Sequence, residues 1–360
     1  MSSQHVRYAV VGAGWVSQEA FLPAVSQTRN SQVSAIVSGN RKGAEQLAQF
    51  FGVEHVCGYG DFDTLLASDV VDAVYIAVPN PMHADFAIRA ANAGKHVMVE
   101  KPIATSVAEA TAMIDAASRR HVLLMTSYRL HNEPATLAAL DALRSGKIGD
   151  PFAFTAQFSF QTQLGNHRLS RGLWGGPLQD IGIYCINAAR HIFEAEPVEA
   201  FAMAARPDND DRFKEIDASV AVTLRFPEHQ LAQFYCSFGA YDVDSYHVIG
   251  TDGELIMEDG FRFDTPSKLV IKTKRNIDNL YYEICDQFAG QIQYFSECIL
   301  GGASLEPDGE EGLADVRILV AIEESLKTGL PQAVSNPPRL FHPDRSMMRR
   351  LPTTKRRLLL

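Results

Sequence analysis

Over residues 6 to about 125 the chain alternates short, continuously apolar runs with helical patterns, and that alternation leaves few folds open. The apolar runs are 8–11, 33–37, 73–78, 96–99 and 122–125, with helical patterns such as 42–51 and 83–93 between them. Strands that are apolar on both sides belong in a parallel sheet covered by helices on each face. The predicted fold class is therefore α/β, with a doubly wound, Rossmann-like parallel sheet in an N-terminal domain over 1–125. From residue 126 the rhythm changes to period-two alternation, as in 151–161, 219–226 and 231–238, with helical stretches at 134–145, 181–193 and 310–328. This predicts a C-terminal α+β domain over 126–340, built on a large, open, mostly antiparallel sheet. Residues 341–360 form a basic tail, carrying Arg345, Arg349, Arg350, Lys355, Arg356 and Arg357. It reads as a solvated segment or one that clasps a neighbouring molecule.

Composition removes several function classes. At 360 residues and 46% hydrophobic content the chain can bury two cores, and its net charge of −10 argues against nucleic acid as a partner. No apolar run approaches the roughly 20 residues of a membrane span. Met1 to Arg7 reach the first strand at once, with no room for a signal peptide. The five cysteines form no CxxC pair, and the eleven histidines show neither HExxH nor paired Cys/His spacing. The expectation is a cytoplasmic protein with reduced thiols, no metal site and no membrane partner.

Three turns carry the chemistry. Gly12-Ala13-Gly14-Trp15-Val16-Ser17 follows the first strand and opens a helix, where glycines permit close backbone approach to a dinucleotide pyrophosphate. The end of the second strand reads Ser38-Gly39-Asn40-Arg41-Lys42. An acid there would bind a ribose 2′-hydroxyl; a hydroxyl with two cations suits a 2′-phosphate instead, so NADP is favoured over NAD. Pro79-Asn80-Pro81-Met82-His83 closes another strand beside the cofactor's ribose or nicotinamide, and His83 reads equally as a structural residue. Gly94 to Pro102 then delivers Glu100 and Lys101 at a strand's C-terminal end, the ligand side of an open α/β sheet. In the second half, Asp180 and Tyr184 stand four residues apart and share one helical face.

Taken with Tyr128-Arg129-Leu130-His131-Asn132-Glu133-Pro134, these motifs make residues 5–335 resemble the Gfo/Idh/MocA oxidoreductase family and its glucose–fructose oxidoreductase-like subgroup. The resemblance implies a Rossmann domain, a C-terminal domain with a large open sheet, and homodimers or homotetramers formed through that sheet. It assigns Lys101 as the catalytic lysine, Asp180 as the acid and Tyr184 as the proton-transfer residue. Ser38 with Arg41 or Lys42 falls where the subgroup grips a 2′-phosphate. Arg168 resembles an arginine at the nicotinamide end, although His167 replaces the tryptophan that usually precedes it and the glycine run before Leu178 is one residue short. Arg129 joins the cofactor set through its motif. The subgroup's export signal and long N-terminal arm have no counterpart.

The activity implied is hydride transfer between NADP and a pyranose sugar, with C1 oxidised to a lactone. A retained cofactor would make it a sugar–sugar oxidoreductase. Two alternatives stand beside this: a conventional NAD(P)-dependent sugar or polyol dehydrogenase that releases its cofactor, and a non-catalytic NADP-binding sensor.

Overall fold

Six strands lie in one wholly parallel sheet: β1 (Val6–Val11), β2 (Ser31–Val37), β3 (His55–Cys57), β4 (Ala73–Ile76), β5 (His96–Val99) and β6 (Leu124–Thr126). Their order, β3-β2-β1-β4-β5-β6, is that of a doubly wound dinucleotide fold. The computed structural model describes residues 5–360; Met1–Gln4, part of the expected first domain and of the reading that leaves no room for a leader, lie outside the described residues. The chain divides into two compact units. One takes the residues through Glu133 together with Cys285–Leu313 and Met347–Leu360; the other takes Pro134–Ile284 and Ala314–Ser346.

In the first unit β4 is buried along its whole length and β1 at all but Arg7, which is why both read as continuous apolar runs. Capping residues place the helices. Asn40 accepts from the Gly43 N–H at 3.1 Å to start helix Arg41–Phe51, and Ser106 does the same for Glu109 at 3.2 Å to start Val107–Arg120. Helix Gln287–Gly301, capped by Asp286 on Ala289 at 2.8 Å, packs on this sheet although it lies far along the chain. Its Ser296 hydroxyl sits 2.7 Å from the buried Tyr8 hydroxyl and 2.8 Å from that of Ser31.

The second unit is built on nine strands: β7 (Pro151–Ser159), β8 (Glu199–Ala205), β9 (Ser219–Arg225), β10 (Leu231–Ser237), β11 (Val243–Gly250), β12 (Gly253–Glu258), β13 (Ser267–Thr273), β14 (Ile277–Tyr282) and β15 (Gln332–Ala333). Their order is β14-β13-β12-β11-β7-β10-β9-β8-β15, antiparallel throughout except for the β10–β7 pair. Phe154, Ala156 and Phe158 of β7 face a core with Val220, Val222 and Leu224 of β9. The opposite face leaves Phe201, Met203, Leu231 and Tyr235 exposed. Helix Ile183–Phe193 covers the buried face, preceded by a π-helical turn, Leu178–Gly182, that the apolar periodicity does not distinguish from α. Gly182 lets that turn approach β10: a Cβ there would lie 3.1 Å from Cys236 Sγ and 3.3 Å from the Phe234 ring. Among the described residues no helix is long and apolar enough to cross a membrane.

Arg345, Arg350, Lys355, Arg356 and Arg357 of the basic tail are exposed. Within the first unit Arg349 Nε pairs with Glu297 at 2.9 Å and Arg357 with Glu19 at 2.8 Å, so much of the tail's charge is spent on its own chain.

Candidate active site

The glycine turn sits at the C-terminal end of β1, between β2 and β4, where the strand order reverses and open α/β sheets bind their ligands. Gly12 has φ +97, and a Cβ there would collide with the Ala77 carbonyl oxygen, so only glycine fits. Over Gly14 the space is open, with no atom within 4 Å of the place a Cβ would take. Trp15 and Val16 follow on the exposed side of the turn, Trp15 being 49% exposed. The Ser17 hydroxyl donates to the Gly12 carbonyl at 2.6 Å, and Gln18 Nε2 donates to the Ala13 carbonyl at 2.7 Å. A fixed turn with room above its second glycine fits a pyrophosphate.

At the end of β2 the buried Ser38 hydroxyl accepts from the Asn40 N–H at 3.1 Å, which leaves its proton to donate. Gly39 lies against the Tyr59 ring, a Cβ there being 3.2 Å from it. Arg41 and Lys42 occupy the first helical turn, which holds no acid. Cations at a helix N-terminus oppose its dipole, so an arriving phosphate gains from both. Arg41 pairs with Glu45 at 3.0 Å, but both side chains are more than half exposed, and such a pair is weak enough to give way to a phosphate.

Pro79 and Asn80 form the half-buried turn that ends β4, with the Met82 N–H donating to the Pro79 carbonyl at 2.8 Å. His83 differs from a cofactor contact. It is 1% exposed, its Nδ1 is 2.9 Å from the Pro102 carbonyl and its Nε2 is 2.9 Å from the Val78 carbonyl. Burial lowers its pKa against the pull of those carbonyls, and the Lys101 charge lowers it further. His83 is thus a staple joining two turns. At the end of β5, Glu100 accepts from the Tyr75 hydroxyl at 2.7 Å, and burial raises its carboxyl pKa while the Lys101 charge opposes that rise. Lys101 follows at the surface of the strand end, joined to Pro102 by a cis peptide bond. Arg129, expected near the cofactor, is buried and binds helix Gln287–Gly301: Nη1 donates to Gln287 and the guanidinium lies 5.9 Å from the Phe288 ring.

In the second unit Asp180 lies inside the π turn and Tyr184 in the first turn of the following helix. The Tyr184 ring meets Phe158 at 5.9 Å and Phe261 at 6.3 Å between centroids, an aromatic setting that fixes its plane. Arg168 Nε pairs with Asp180 Oδ2 at 2.8 Å, with both side chains about a quarter exposed. The pair fixes the Asp180 carboxylate against the Arg168 guanidinium. Gly175 makes the pairing loop possible, since a Cβ there would run into the Arg168 carbonyl oxygen. His167 is pushed toward its neutral form by burial first and then by the Arg168 charge. Sequence reasoning missed Glu323, whose Oε1 accepts from Trp174 Nε1 and from Gln179 Nε2, each at 2.7 Å, tying the loop to the π turn. No local signal links residues that far apart.

Two family models match the chain. One, described as an oxidoreductase family with an NAD-binding Rossmann fold, matches residues 6–128; the other, a GFO/IDH/MocA C-terminal domain, matches 136–256. The chain belongs to the Gfo/Idh/MocA oxidoreductase family. It is 31% identical to a D-xylose 1-dehydrogenase [NADP(+)] of Haloarcula marismortui over 90% of this chain and 91% of that protein. Among solved structures, the aldose–aldose oxidoreductase of Caulobacter crescentus in complex with glycerol superposes with a TM-score of 0.87 at 30% identity, covering 92% of this chain and 100% of that one. A 3-ketoreductase of Actinomadura kijaniata in complex with NADP and TDP-benzene gives 0.82 at 28% identity, over 90% and 98%. This Gfo/Idh/MocA protein is an NAD(P)-dependent oxidoreductase.

Proposed function

We propose that this enzyme oxidises the C1 hydroxyl of a pyranose sugar to a lactone with NADP, and in reverse reduces a sugar carbonyl. A bound nicotinamide would supply the hydride acceptor for oxidation at C1 and the hydride donor for the reverse reaction. Tyr184 takes the hydroxyl proton as C1 is oxidised and gives it back to the carbonyl oxygen in reverse. Lys101 supplies positive charge to the oxygen as it gains negative character. Asp180, paired with Arg168, orients the sugar through its hydroxyls. Ser38 with Arg41 and Lys42 binds the 2′-phosphate. The observation that carries this reading is the ion-paired Asp180 one helical turn before an aromatic-clamped Tyr184, in a chain that also keeps Lys101. Relatives named for NADP-dependent xylose dehydrogenation and for aldose–aldose exchange support the sugar assignment.

The enzyme acts as a homodimer or homotetramer in the cytoplasm. The exposed apolar row of Phe201, Met203, Leu231 and Tyr235 supports the first and five free cysteines the second.

Retention of the cofactor divides the reading in two. Extensively dialysed protein is given xylose or glucose without added cofactor and followed at about 340 nm, the reduced-nicotinamide band. Absorbance rising to about one equivalent per chain supports a sugar–sugar oxidoreductase. Protein that responds only after NADP is added is a dehydrogenase that releases its cofactor, and silence in both arms refutes the sugar assignment.

A further inference from the structure

Residues 347–360 return to the first unit and run toward the dinucleotide turn. The Met347 carbonyl accepts from Asn132 Nδ2 at 2.8 Å, and the Leu351 carbonyl from the Asp286 N–H at 2.9 Å. Further on, Arg356 donates to the Phe50 carbonyl and lies 5.2 Å from the Phe50 ring. Arg357 pairs with Glu19 at 2.8 Å, and the Leu360 N–H donates to Gln18 Oε1 at 2.7 Å. Gln18 is the decisive residue. One end of its buried amide receives the tail and the other donates to the Ala13 carbonyl, inside the glycine turn.

We propose that residues 351–360 form a strap that positions the dinucleotide turn through Gln18 and Glu19, and so slows release of NADP. The inference rests on NADP occupying that turn. Two physical effects act together. The Gln18 amide joins strap and turn, so ordering one favours ordering of the other. Glu19, whose side chain is only 15% exposed, places a carboxylate two residues after Ser17, where it opposes an anionic pyrophosphate; Arg357 cancels that charge. Ordering the strap residues costs backbone entropy, and the strap has no helix or strand of its own to offset it. A segment so held opens and closes readily, which makes its coupling to the cofactor reciprocal.

The test preloads protein with NADPH and chases it with excess NADP+, following loss of bound-NADPH fluorescence in a stopped flow. Chains ending at Arg350 should release NADPH about tenfold faster than the full chain. Arg357→Glu should also release it faster, and adding Glu19→Arg to Arg357→Glu should restore slow release. Bound NADP should in turn slow tryptic cleavage at Lys355 and Arg356. Equal release rates in all four proteins would overturn the strap while leaving the cofactor assignment intact. If the shortened chain does not fold, the charge-reversed pair decides. A full chain that binds no NADPH would instead overturn the cofactor assignment, and the strap with it.

Discussion

Tyr184→Phe lowers kcat by about 10²–10⁴-fold, the usual worth of a positioned acid–base group, and leaves the fold unchanged. The ring contacts with Phe158 and Phe261 survive this substitution, because only the hydroxyl is removed. The sugar KM should move by a few-fold at most, which separates loss of proton transfer from loss of binding. Lys101→Met should produce a comparable fall for a different reason: on the proposed mechanism it removes the positive charge offered to the reacting oxygen. It also removes the leading influence that opposes the upward shift of the Glu100 carboxyl, so Glu100 should protonate at still higher pH. Steady-state kinetics with circular dichroism and melting curves check both variants. Near-normal turnover in either would remove that residue from the chemistry.

Arg190→Met should cost about 3–5 kcal/mol of stability, the largest effect expected away from the catalytic residues. Arg190 is fully buried and holds two acids at once. Its Nε and Nη2 donate to Glu196 at 2.8 and 2.7 Å, and its Nη1 donates to Asp315 at 2.7 Å. Asn187 and Asn336 add hydrogen bonds to the same two carboxylates, at 3.0 and 2.9 Å. Methionine fills much of the space yet leaves two buried carboxylates without their cation. Calorimetry should show Tm falling by on the order of 10 °C. Adding Glu196→Gln and Asp315→Asn should recover a large part of the loss, since the unpaired charges then disappear. An unchanged Tm in the single variant would contradict the network's role.

What could be read from the sequence follows from how local each signal is. The parallel strands and the glycine turn are legible because a buried strand, its turn and its helix occupy about 30 consecutive residues. The nine-stranded sheet is legible through period-two alternation, as in β7, where Phe154, Ala156 and Phe158 are buried and Thr155 and Gln157 between them are exposed. Strand β3 is too short, at His55–Cys57, to show a period. The π turn around Asp180 hides because its apolar residues fall where an α-helix would also place them. Helix Gln287–Gly301 and the tail join the first unit through contacts that sequence spacing does not encode, such as Tyr8 with Ser296 and Gln18 with Leu360. The same limit explains the site residues. Lys101 is announced by the strand that ends beside it. The partners of Arg168, Arg129 and His83, which are Asp180, Gln287 and the Pro102 carbonyl, are set by how loops and turns close.

The most direct test of sugar C1 oxidation uses xylose carrying deuterium at C1. Purified enzyme is incubated with the labelled sugar and NADP+, and the reduced cofactor and the sugar product are weighed by mass spectrometry. The account predicts NADPH one mass unit heavier, formed in step with an unlabelled lactone. Reduced cofactor without the label, or no reduction by any pyranose tried, would contradict it.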